Sequence, residues 1–101
     1  MIGFYRMASI APGKLTGALA YAHEVAAFIK DKHGFEVLVA MPIGGNPYRI
    51  GWSTRFENLG VMEEKMAGLM KDPAYHALQV KAADLFNAGS LHDEVWKILG
   101  V

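Results

Sequence analysis

Two long amphipathic patterns of helical period, each preceded by strand-like sequence, constrain this chain more than any other feature. Lys14 to His33 carries Leu15, Leu19, Ala22, Ala26 and Ile29 at alternating spacings of three and four, with Tyr21, Val25 and Phe28 on a neighbouring stripe. Leu59, Met62, Met66, Leu69 and Met70 begin the second pattern, and Tyr75, Leu78, Ala82 and Leu85 continue it. Asp72-Pro73 interrupts it, because aspartate caps a helix and proline suits its first position. The spacing therefore predicts two helical pieces with a break near Asp72.

The strand-like segments alternate with period two. Ile2 to Ile10 ends at the breaker Ala11-Pro12-Gly13, and Ile2, Phe4, Arg6 and Ala8 share one face. Phe35 to Met41 forms a second strand, and Pro42 to Pro47 a turn containing Gly44-Gly45-Asn46. Tyr48, Ile50, Trp52, Thr54 and Phe56 alternate with Arg49, Gly51, Ser53, Arg55 and Glu57, the clearest period of two in the chain. Strands two and three read as a hairpin. Asn87 to Ser90 reads as a loop. Leu91 to Leu99 fits either a helix, with Ser90 and Asp93 as a capping box, or a fourth strand, and the preceding order favours the strand. The resulting order βαββαβ predicts a two-layer α+β sandwich of ferredoxin-like type. Its antiparallel sheet has four strands and its helices lie on one face.

Composition narrows the function classes. The 101 residues suit one domain with a single core, and 52% hydrophobic residues is high for so small a surface. Tyr5, Met7, Leu38 and Ala40 lie opposite the helix-facing residues, so the uncovered sheet face is also apolar and predicts a homodimer packed through it. Ten Lys plus Arg against ten Asp plus Glu, with no run of like charge, give no footprint of a nucleic-acid binder. With no cysteine there is no disulfide or thiolate metal site. No apolar stretch approaches the ~18 residues of a membrane span, and the start Met1-Ile2-Gly3-Phe4 lacks a signal peptide's basic segment. The expectation is a cytoplasmic protein with no membrane partner.

The βαββαβ order, the run Trp52 to Phe56 and the segment Asp72-Pro73-Ala74-Tyr75-His76 resemble the dimeric α/β-barrel superfamily. Within it, the nearest likeness is to NIPSNAP-like and antibiotic-biosynthesis-monooxygenase-like proteins. That resemblance implies a pair of subunits closing into a barrel. It also implies a small, often aromatic or haem-like ligand between sheet and helices, and a cofactor-independent oxygenation, isomerisation, decarboxylation or haem degradation. The haem-degrading members call for an asparagine on the first strand and a tryptophan before the histidine in the second helix. Neither is present, so a haem protein is the third reading.

Four residues are candidates for the site. His76 could act as a general base near neutral pH; its neighbour Tyr75 is on the core stripe, which turns His76 about 100° away toward solvent. Trp52 could form the flat wall of an aromatic site or be an ordinary core indole. Arg6, a charge inside a buried strand, requires either an anionic ligand or a carboxylate such as Glu36 or Glu57. Tyr75 completes the group. His23 with Glu24, and His92 with Asp93, are too few and too close in sequence to bind a metal, so neither a metal nor a cofactor is expected. Asp93 reads as a cap or turn residue. Gly44-Gly45-Asn46 joins two strands and so is not a phosphate loop. The expected function is a homodimeric binder of a small apolar or aromatic molecule, with monooxygenase-like or isomerase-like chemistry on an aromatic or polyketide-like metabolite. The alternative is a non-catalytic oligomerisation or regulatory module.

Overall fold

In the computed structural model, which describes residues 1–100, strand β1 (Ile2–Ser9) runs up the middle of the sheet and pairs on both sides. Helix α1 (Leu15–His33) follows, then β2 (Leu38–Ala40) and β3 (Arg49–Phe56). Helices α2 (Leu59–Met70) and α3 (Pro73–Lys81) come next, then a single 3-10 turn (Ala83–Leu85) and strand β4 (His92–Lys97). The four strands are antiparallel in the order β2-β3-β1-β4, the ferredoxin-like topology read from the sequence. The last segment is a strand. No helix among the described residues is long and apolar enough to cross a membrane.

The expectation of a barrel is corrected by this topology. The sheet is open: β2 and β4 are its two edges, each paired on one side only, with β3 and β1 between them. Closing a sheet requires its outer strands to meet, and a filled barrel takes about eight strands. Four strands end in two free edges instead.

Helix α1 buries Ala18, Ala22, Val25 and Ile29, a stripe lying between the two that the sequence offered. Leu15 is left exposed. The reason is steric: Ala18 and Ala22 are fully buried against Ile10 and Ile50, and side chains this small let the helix axis approach the sheet. Gly34 ends the helix in the left-handed conformation (φ 74°), its N–H donating to the Ile29 and Lys30 carbonyls. Strand β2 is shorter than the alternation of residues 35–41 predicted. Thr54 Oγ1 donates to the Glu36 carbonyl at 2.7 Å, and Phe35 packs its ring 5.4 Å from that of Phe56. The chain is thus held to β3 by side chains before the backbone ladder begins.

Asp72 breaks the second helical segment as expected, and does more. Its carboxylate caps α3 by accepting from the Ala74 N–H at 2.9 Å, with Pro73 in the first turn. The same group accepts from Lys32 Nζ at 3.0 Å and lies 2.7 Å from His33 Nε2. A buried carboxylate needs such partners. His33, Lys32 and the Ala74 N–H together hold its pKa down to about 2, against the opposing effect of burial. The node fastens the end of α1 to the start of α3.

Candidate functional site

The helices do not fill the space above the sheet. A cavity of about 250 Å³ remains between them, with a floor of Phe4, Arg6, Trp52 and Thr54 from the two central strands. Tyr21 and Val25 of α1, Met66 and Leu69 of α2, and Tyr75 and Gln79 of α3 form its sides. Phe86, Asn87, Gly89, Ser90 and Leu91 border part of the rest. The alternation of β1 and β3 aims Phe4, Arg6, Trp52 and Thr54 at the helices, since residues two apart share a face. Tyr75 and Gln79 are one helical turn apart and so reach the same wall.

The lining is mainly apolar, and six of its residues are aromatic: Phe4, Tyr21, Phe35, Trp52, Tyr75 and Phe86. Trp52, Tyr21 and Phe86 meet edge to face, with ring centroids 5.9–6.4 Å apart. The Trp52 indole Nε1 is buried and has no hydrogen-bond partner among the described residues. An unpaired buried donor costs about 1–3 kcal/mol. Burial pushes the Tyr21 phenol pKa up to about 12, so that side chain stays neutral.

Polar groups gather on one side of this apolar space. Arg6 Nε and Nη2 donate to the two Asp93 carboxylate oxygens at 2.7 and 2.8 Å, a bidentate fork. Asp93 stands opposite Arg6 in the β1–β4 register, so it is a strand residue rather than the cap or turn residue expected. The partner of Arg6 is therefore Asp93 and neither Glu36 nor Glu57. Arg6 Nη1 reaches the Tyr75 hydroxyl at 3.4 Å, and Gln79 Nε2 donates to the same oxygen at 3.1 Å.

Three of the four candidates, Arg6, Trp52 and Tyr75, thus face one cavity. His76 is not in its lining; its Nε2 lies 2.6 Å from the Met70 carbonyl, at the end of α2. Asp93 and Gln79 are additions that sequence reasoning missed. Gln79 carried a signal, its spacing of four from Tyr75, whereas Asp93 required the register of β4. Among the described residues no group of three or more His, Asp or Glu side chains is placed to hold a metal ion.

An open four-stranded antiparallel sheet with helices over one face and an aromatic cavity between the layers defines an α+β protein of ferredoxin-like fold. Known structures share it. A NIPSNAP family protein of unknown function from Agrobacterium tumefaciens has a TM-score of 0.79 at 21% identity, over 97% of this chain and 87% of that one. An uncharacterized NIPSNAP domain protein from Burkholderia xenovorans has a TM-score of 0.81 at 12% identity, over 97% and 94%. A cofactor-independent oxygenase from Streptomyces nogalater, in mutant form, has a TM-score of 0.72 at 9% identity, over 99% and 94%. No protein-family model matches the sequence, and no curated protein does. The fold resembles that of NIPSNAP and antibiotic-biosynthesis-monooxygenase-like proteins, and at these identities the likeness is one of fold.

Proposed function

We propose that this chain binds a small aromatic or polyketide-like molecule in the cavity between sheet and helices, with Arg6, Trp52 and Tyr75 in contact with it. The observation that carries this reading is the cavity itself: a mainly apolar space of about 250 Å³ between sheet and helices, with the rings of Tyr21, Trp52, Tyr75 and Phe86 on its lining and Arg6 and Gln79 among its few polar groups. Binding sites are mostly apolar with a few placed polar groups, and drug-sized ones run to roughly 300–1,000 Å³. This one suits a ligand of one or two rings. The chemistry such walls support without a cofactor is proton removal beside a carbonyl, with donors holding the charge that develops on oxygen. Isomerisation and cofactor-independent oxygenation, the activity for which the Streptomyces nogalater protein of like fold is named, are both compatible with such a start. A base role for His76 requires its ring to leave the Met70 carbonyl, and His76→Ala tests it: turnover falls while ligand affinity holds.

The reading includes a homodimer in the cytoplasm, paired through the open sheet face. Tyr5, Met7, Gly51, Ser53 and Trp96 line a shallow groove there, and Trp96 is 57% exposed. The Tyr5 ring lies flat across Gly3, where a Cβ would sit 2.9 Å from it. A flat aromatic surface is what a second sheet can pack on.

Arg6 favours the alternative, a non-catalytic assembly module, because Asp93 already satisfies its charge. Native mass spectrometry with fluorescence decides between them. A dimer mass carrying a small-molecule increment, and quenching of Trp52 by a naphthalene probe in a Trp96→Phe variant, support the ligand site. A bare dimer whose Trp52 emission no probe changes supports the module, and a bare monomer removes the dimer.

A further inference from the structure

The hydrogen-bond directions around Tyr75 say which ligand the cavity takes. Tyr75 is only 6% exposed, and its hydroxyl oxygen accepts from both Arg6 and Gln79. A phenol has one proton to give and two lone pairs to receive with. Both incoming N–H groups occupy the accepting side, and among the described residues no acceptor takes the Tyr75 proton. The proton is left to the cavity that this side chain lines. Charge points the same way: Asp93 occupies two of the Arg6 nitrogens and balances its charge, so a ligand carboxylate would meet a neutralised arginine with a carboxylate behind it.

We propose that the cavity selects a neutral ligand presenting a carbonyl oxygen, which accepts the Tyr75 hydroxyl, with Arg6 and Gln79 as positioning residues that aim and polarise that hydroxyl. The proposal rests on the cavity being a small-molecule site, and it excludes the acidic ligand that an unpaired Arg6 would have called for.

The test compares three probes with one ring system: 2-acetylnaphthalene, 2-naphthoate and 2-ethylnaphthalene, titrated by calorimetry into the full chain. The acetyl compound is expected to bind about tenfold tighter than the ethyl compound, the worth of one good hydrogen bond, and at least as far ahead of the carboxylate. In the complex with the unmodified protein its carbonyl stretch is shifted below that of the same compound in cyclohexane, where nothing donates to it, a readout that needs no variant. Tyr75→Phe brings the acetyl compound down to the affinity that the same variant shows for the ethyl compound, and abolishes the shift. Gln79→Leu reduces the shift of the bound acetyl compound, which a merely structural role would not do. Tightest binding by 2-naphthoate overturns the inference while leaving the cavity as a binding site, and so does an unshifted carbonyl in the unmodified complex. Failure of all three probes to bind overturns the cavity reading and this inference with it.

Discussion

The pairing of Arg6 with Asp93 can be measured by a double-mutant cycle using Arg6→Met, Asp93→Asn and the double variant. The structure sets the scale. Two N–H···O bonds of 2.7 and 2.8 Å place the charge centres about 4 Å apart, worth ~4 kcal/mol gross at an effective dielectric constant of 20. Two effects reduce it: Arg6 loses solvation because its side chain is only 23% exposed, and Asp93 is screened by water at 39%. The pair lies between an exposed bridge at 0.2–1 kcal/mol and a buried one whose breaking costs ~3–5, so a coupling of about 1–2 kcal/mol is expected. Urea denaturation followed by far-ultraviolet circular dichroism measures it, and unchanged slopes certify a common denatured state. In a domain of this size each kcal/mol also moves Tm by ~4–8 °C. Arg6→Met should cost more than Asp93→Asn, because it also leaves Tyr75 without its charged donor. A coupling below ~0.3 kcal/mol would refute the argument, since Arg6 would then be free for an anionic ligand.

Acid should act on Asp72 above all. Its folded pKa of about 2 lies below the unfolded ~3.9, so the stability it contributes is present above about pH 4–5 and is lost as pH falls toward 2. The urea midpoint of the unmodified protein should fall over that window by more than that of Asp72→Asn, and parallel curves for the two would contradict the assignment. Thr54→Val removes the bond to the Glu36 carbonyl at nearly constant volume and is expected to cost ~1 kcal/mol. Hydrogen exchange should localise the loosening to residues 35–40, and unchanged protection there would show that Phe35 alone holds the segment.

How much of this was legible before the structure depended on whether a residue's fate was decided locally. Strand β3 was readable because its two faces differ in kind: Ile50, Thr54 and Phe56 are buried, while Arg49 and Arg55 are exposed. The break at Asp72-Pro73 was readable because a cap and a first-turn proline are properties of two adjacent residues. Helix α1 was legible as a helix but not in its rotation, since three adjacent stripes are apolar and the sheet chose the one with the smallest side chains. The length of β2 depended on a hydroxyl eighteen positions away. Asp93 was harder still, because it meets Arg6 across 87 positions and only when β4 takes one register against β1. A barrel was expected by analogy, and the strand count with its two free edges overrules analogy.

The two ionic nodes explain how so small a chain keeps an open space without collapsing into it. Apolar side chains have no directional reason to leave a cavity, and 52% of these residues are hydrophobic. Asp72 fixes where α3 starts by binding its first turn and the last turn of α1 at once. Tyr75 follows three residues later, and its hydroxyl is caught by Arg6, whose other nitrogens are held by Asp93 on the edge strand. A polar chain therefore runs from α1 through α3 to β1 and β4. Moving α3 inward to fill the cavity would break directional bonds of a buried carboxylate and a half-buried guanidinium. Such bonds are strong where water is excluded and expensive to leave unmade. The cavity persists because closing it breaks that chain, and the chain holds Tyr75, the residue whose free proton faces the space.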